Sequence, residues 1–261
     1  MSTNQSVGTT SMRRLALAVG LLVAAGLSGC ADDADTAEAA GRPTSPSAGT
    51  SASSALLSIP EWNGQDEGAQ VPLGSGTYAV PSSPWSVAGF RVTFPAGWTV
   101  QYGHVYAQHS DQPDEFGFYA VVVDEIFTDA CRGEGGTTQA VGPGVDALIT
   151  ALLDQKGGAL KTNVTDTIFG GYPATRIDLR IPKHADLDRC QMAEYGFAGL
   201  QVWYSEPADK YFVLLPGAVA TVYVVDVEGE RQVFLTQVGN PHSQTDLAEL
   251  QTVLESIEIE E

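Results

Sequence analysis

Residues 31–55 contain only Ala, Asp, Glu, Thr, Ser, Gly, Arg and Pro, and the first large apolar side chain after them is Leu56. Such a stretch cannot bury enough apolar surface to offset the entropy lost on ordering. We expect a disordered tether with a reach of roughly 25–30 Å, so a packed core must be built from Leu56 onward. The remaining length, residues 56–261, suits a single domain.

Ahead of the tether, residues 1–29 carry no acidic side chain. Arg13 and Arg14 precede a run of Leu, Ala, Val and Gly over residues 15–27. A basic segment, a short apolar core and small residues make a secretory signal peptide. The run is too short to cross a bilayer, which takes about 20 apolar residues. The next residues, Leu27-Ser28-Gly29-Cys30, resemble the bacterial lipobox at every position. That resemblance implies cleavage between Gly29 and Cys30, a diacylglyceryl thioether on Cys30, and often an acyl group on the new amino terminus. A single acyl chain holds a protein only reversibly, at about 0.8 kcal/mol per buried methylene, whereas two or three hold it durably.

The organisation expected is therefore a signal peptide over 1–29, a lipidated Cys30 with its linker over 30–55, and a domain over 56–261. The membrane is the expected partner through the acyl chains on Cys30, at the extracytoplasmic face. The alternative is an ordinary signal peptide followed by a coincidental cysteine. Ser11-Met12-Arg13-Arg14-Leu15 fits the twin-arginine pattern poorly, which favours general secretion. Met12 is an alternative start.

Removing the leader removes two of the 13 basic residues and none of the 32 acidic ones, leaving a chain more acidic than the −19 of the whole. A surface of that sign repels phosphate backbones, so a nucleic-acid partner is excluded. With Cys30 assigned to lipid, Cys131 and Cys190 form an even pair in an oxidising compartment, and we expect them to be joined. The loop they would close contributes on the order of 4 kcal/mol by the chain-entropy argument. A reactive thiol with a resolving partner is the alternative, although no Cys-x-x-Cys spacing supports it.

Hydrophobic periodicity fixes the elements of the domain. Phe90, Val92 and Phe94 alternate with Arg91 and Thr93, which predicts a half-buried strand. Residues 116–123 are apolar on both faces, as in a central strand. Val145, Leu148, Ile149, Leu152 and Leu153 recur at helical spacing. A hairpin is expected to turn at Gly170-Gly171-Tyr172, with Ile177, Leu179 and Ile181 inward and Arg176, Asp178 and Arg180 toward water. Further strands are read at 200–204, 211–215, 221–227 and 232–238. Ser243 or Thr245 then caps a helix whose stripe is Leu247, Leu250, Val253, Leu254 and Ile257. The fold class expected is α+β, an antiparallel sheet with two main helices packed on it and one disulfide.

Residues 87–98, containing Phe90-Arg91-Val92-Thr93-Phe94-Pro95-Ala96-Gly97-Trp98, and residues 246–259 resemble the corresponding pieces of PsbP-like domains and of uncharacterised actinobacterial lipoproteins. The resemblance implies a helix-flanked antiparallel sheet and a non-catalytic binding or assembly role. It transfers no functional residue.

Candidate chemistry is sparse. His104, His109, Asp111, Asp114 and Glu115 crowd one strand and its loop, but their spacing matches no familiar zinc site. His184, Asp186 and Asp188 alternate beside Cys190, without the glycine and terminal glutamate of a calcium loop. Both groups read as solvated loops. Gly74-Ser75-Gly76 lacks the spacing of a nucleophile elbow, and Gly133-Glu134-Gly135-Gly136 lacks the Lys-Ser or Lys-Thr of a phosphate loop. Asn163-Val164-Thr165 fits a glycosylation pattern but reads as plain strand. Trp98, after Pro95-Ala96-Gly97, is expected to plug the core, while Trp62, Trp85 and Trp203 are open to either a stacking or a packing role.

We therefore expect no cofactor, no metal and no catalysis: a lipid-anchored module that binds an envelope protein or a small ligand. Two alternatives stand beside it. One is a cell-envelope hydrolase, with or without a metal, that uses the His104/His109 region; the other is a purely structural envelope protein.

Overall fold

The computed structural model describes residues 55–61, 69–110, 112–132, 137–157, 160–182, 187, 190–192, 197–205 and 210–260. These all belong to one compact unit, Ser51–Glu261. The leader, Cys30 and residues 31–54 of the tether lie outside the described residues, as do Trp62, Asp111, His184, Asp186 and Asp188.

In chain order the strands begin with β1 (Leu57–Ser58), β2 (Gln70–Pro72), β3 (Gly76–Val80), β4 (Phe90–Phe94), β5 (Thr99–Gln101) and β6 (Val105–Gln108). Then come β7 (Phe116–Val121), β8 (Glu125–Phe127), β9 (Thr138–Ala140) and helix α1 (Val145–Asp154). The long hairpin β10 (Leu160–Phe169) and β11 (Tyr172–Arg180) is followed by β12 (Gln191–Met192), β13 (Phe197–Ala198), β14 (Leu200–Ser205) and β15 (Lys210–Leu214). The chain closes with β16 (Val219–Val227), β17 (Glu230–Val238), α2 (Gln244–Glu255) and β18 (Glu258–Ile259).

One antiparallel sheet of eight strands, ordered β10-β11-β16-β17-β7-β6-β5-β2, runs through the middle. Side chains alternate across a strand, so a sheet covered on both faces must be apolar at every position. In the middle of β16 and β17 they are: residues 222–225 and 233–235 are apolar on both faces. Tyr223, Val225, Val227, Phe234 and Val238 enter one core, where the sheet β1-β3-β4-β18 and α2 cover them. Val222, Val224, Val233 and Leu235 enter a second core, covered by the sheet β15-β14-β8-β9 and by α1. Each fully buried side chain of this size is worth about 1.5–3 kcal/mol, which makes sheet-on-sheet burial the main source of cohesion.

This corrects the expected fold class. The domain is mostly β-sheet with two helices, and other sheets as well as helices cover the central sheet, because the second apolar face of β16 and β17 demands a further layer. Residues 87–98 and 246–259, far apart in the chain, meet in space: β18 pairs antiparallel with β4, placing Glu258 opposite Arg91 and Ile259 opposite Phe90.

Local signals hold where they are strong. Helix α2 starts at Ser243, whose hydroxyl accepts from the Asp246 amide while the Asp246 carboxylate accepts from the Ser243 amide. Strand β4 buries Phe90, Val92 and Phe94 and exposes Arg91 and Thr93. Gly117 is required by contact rather than by a turn, since a Cβ there would collide with the Tyr106 carbonyl of the paired strand β6.

Asp178 departs from expectation. It does not face bulk water: its side chain is 16% exposed and lies 3.0 Å from Arg176 Nε. Thr221 Oγ1 and Asn163 Nδ2 also donate to it, at 2.9 and 3.0 Å. Burial pushes its pKa up, but the three hydrogen bonds and the Arg176 charge outweigh that and hold the carboxyl below its ordinary value. A carboxylate depressed in the folded state stabilises the fold above its unfolded pKa of about 4, and that stability is lost as pH falls through the folded value. In a melting series from pH 7 to pH 2, the wild type is expected to lose stability more steeply below about pH 4 than Asp178→Asn. Parallel acid limbs would show that the ring of donors does not hold the charge.

Candidate functional site

The second core leaves a gap at one end of the central sheet. There β14 and β15 stand over β6, β7 and β17, and a cleft of about 220 Å³ remains between the two sheets. Val105, Val121 and Leu235 line it from the central sheet, with Tyr119 beside them, and Trp203 and Phe212 line it from the covering sheet. The Trp203 and Phe212 rings stack at 4.6 Å. Tyr102 and His104 form the rim before β6, and Glu115 stands on the same rim before β7.

His104 is buried, with its ring stacked on Trp85 at 4.2 Å and its Nδ1 3.1 Å from the Tyr102 carbonyl oxygen. The Trp85 loop is itself held from below. Gln232, fully buried in β17, accepts from the Val87 amide at 2.8 Å and lies 3.0 Å from Ser86 Oγ. Tyr102 has φ 53°, a left-handed conformation rare for a side chain of that size. Strain of this kind persists only where the surroundings impose it, and it concentrates at ligand clamps. Tyr119 donates to Gln237 at 3.5 Å, and its hydroxyl pKa is pushed up, first by burial and then by the Glu115 charge.

One polar atom in the cleft has no counterpart. Ser205, at the end of β14, is 3% exposed, and its Oγ makes no hydrogen bond. A buried hydroxyl without a partner costs about 1–3 kcal/mol, so such atoms are scarce in stable proteins. Among the described residues the only other one is Gln201 Oε1, on the same strand.

The histidines singled out by the sequence are not brought together. His104 and His109 flank the four-residue strand β6 at opposite ends, about 16 Å apart at the rise of an extended chain. His109 has φ 54° and is exposed, with its Nδ1 3.0 Å from the Asp114 carboxylate. Among the described residues no three His, Cys, Asp or Glu side chains converge on a metal position. Trp98 is fully buried, as expected, and Trp203 lines the cleft. Cys131 and Cys190 are joined, with Cα atoms 4.4 Å apart.

Among the described residues there are also larger hollows. The one of about 480 Å³ is lined by Asp129, Arg132, Asp154 and Lys156, and the one of about 730 Å³ by the Pro113, Pro216 and Pro241 turns. That of about 350 Å³ lies beside the Gly170-Gly171 turn. The first is lined mainly by charged and polar side chains and the other two by turns with mixed neighbours, whereas the smaller cleft has aromatic rings on both walls, the usual make-up of a ligand site.

Sequence reasoning picked out Trp203, His104 and Glu115 singly but could not assemble the cleft, whose residues run from Gln101 to Leu235. Ser205 carries no sequence signal at all.

No helix among the described residues is long and apolar enough to cross a membrane. No family model matches the chain, and no curated protein matches it. Among solved structures, the chain is similar to LpqN, involved in cell envelope biogenesis of Mycobacterium tuberculosis, at 12% identity over 74% of this chain and 91% of that one. The TM-score is 0.29, too low for the superposition to bear on fold or function.

Proposed function

We propose that the protein is a lipid-anchored extracytoplasmic binding module without catalytic activity, fastened to the outer face of the cell membrane through acyl chains on Cys30 and spaced from it by the tether. The anchor rests on Leu27-Ser28-Gly29-Cys30 at the end of the Arg13-Arg14 leader. The binding role rests on the aromatic cleft between the two sheets, which is the one described recess with apolar walls and an unpaired buried polar atom. The hydrolase alternative, which would use the His104/His109 region, has less support, because the two histidines stand at opposite ends of β6.

Growth with an alkyne-tagged fatty acid tests the anchor. The wild-type chain is expected to carry the label and to partition into the detergent phase. Cys30→Ala is expected to carry none and to partition into the aqueous phase. A wild-type chain free of label overturns the anchored reading.

A further inference from the structure

The identity of the ligand follows from the cleft, given that the domain is a binding module. A dry cavity of about 150 Å³ in an unrelated protein accepts benzene, and drug-sized ligands take about 300–1,000 Å³. At about 220 Å³ this cleft has room for one ring and a short polar substituent. Its walls suit a ring. The Trp203 and Phe212 pair and Tyr119 present faces and edges for stacked or edge-on contact.

Charge narrows the class further. Glu115 lines the rim, and its field reaches the Tyr119 hydroxyl, disfavouring a second negative charge there. A carboxylate or phosphate ligand would meet the same field, whereas a neutral or cationic one would not. Ser205 Oγ supplies the polar contact. It lies at the buried wall of the cleft with no partner, and a serine hydroxyl changes rotamer without backbone movement.

We propose that this cleft binds a small single-ring aromatic compound that bears a hydrogen-bonding group and no negative charge, with that group meeting Ser205 Oγ.

Three probes that share a ring and differ in charge test it: benzyl alcohol, benzylamine and benzoate. They are titrated into the Cys30→Ser full-length protein, which has no acyl chains to compete, and followed by the Trp203 indole resonance. Benzyl alcohol and benzylamine are expected to bind, and benzoate at least about fivefold more weakly. Ser205→Ala is expected to weaken benzyl alcohol about fivefold while raising the melting temperature of the free protein by about 2–4 °C, because it removes an unsatisfied buried hydroxyl. A hydroxyl that already had a partner in the free protein would give no gain in stability. The proposal is overturned if no probe shifts the resonance at 20 mM concentration, if benzoate binds as tightly as the alcohol, or if Ser205→Ala binds benzyl alcohol like wild type. None of these results bears on acylation at Cys30, so failure of the anchor and failure of this ligand class are read separately.

Discussion

Replacing both Cys131 and Cys190 by serine is expected to remove about 4 kcal/mol of stability, a fall in melting temperature on the order of 10 °C. The two residues are 59 positions apart, so the bond closes a long loop in the unfolded chain and takes from it the entropy of leaving that loop open. In the folded protein the bond ties the turn after β8 to the residue directly before β12. Two backbone hydrogen bonds flank it, from the Gln201 amide to the Ala130 carbonyl at 2.8 Å and from the Gly199 amide to the Cys190 carbonyl at 3.1 Å. Both cysteines are packed in the second core, Cys131 at 5% and Cys190 at 1% exposure. A reductant in solution therefore reaches the sulfurs only when the core opens, and reduction of the native protein is expected to proceed at the rate of unfolding. Urea melts of the wild type and of the double serine variant measure the first quantity, and the rate of thiol release against reductant concentration measures the second. Equal urea midpoints would mean that the reduced chain keeps the loop closed by other contacts. A release rate proportional to reductant would mean that the bond is open to solvent.

What was legible in the sequence was whatever a short window decides. The alternation Phe90, Val92, Phe94 gave β4 its buried and exposed sides, and Ser243 with Asp246 started α2 where a capping box should. The cysteine pair followed from compartment and parity. What could not be read was which strands become neighbours, since pairing β4 with β18 or β7 with β17 is a long-range choice with no local trace. The continuous apolar runs of β16 and β17 signalled burial on both faces but not whether helices or further sheets would cover them. Gln232 shows the limit most clearly. A glutamine at the start of the strand read at 232–238 carries no local sign of burial, yet it is fully buried and holds the Ser86 loop by its side-chain amide. The cleft belongs to the same class of information, being the place where two sheets fail to fill the space between them.

The other large effect is expected at Trp98. Trp98→Ala should cost about 3–5 kcal/mol, the range for removing a large aromatic side chain from a packed core. The ring is fully buried, with Phe94 at 5.2 Å, Phe116 at 5.8 Å and Phe118 at 6.3 Å between centroids. It is also the fastening of a helix. Its Nε1–H donates to the Glu249 carboxylate at 2.9 Å, and Gln108 Nε2 donates to the same oxygen, so two residues of the sheet region hold one side chain of α2. Removing the indole both opens a cavity and leaves Glu249 with one donor fewer. Trp98→Phe keeps part of the ring volume but loses the donor, and is expected to cost about 1–2 kcal/mol. Because Leu250, Val253 and Leu254 of α2 pack in the first core while Leu148 and Leu152 of α1 pack in the second, the damage should be local. Amide exchange in Trp98→Phe is expected to quicken in α2 and to stay near wild type in α1. Equal quickening in both helices would show that the two cores open as one cooperative unit and that the Trp98–Glu249 contact does not serve α2 in particular.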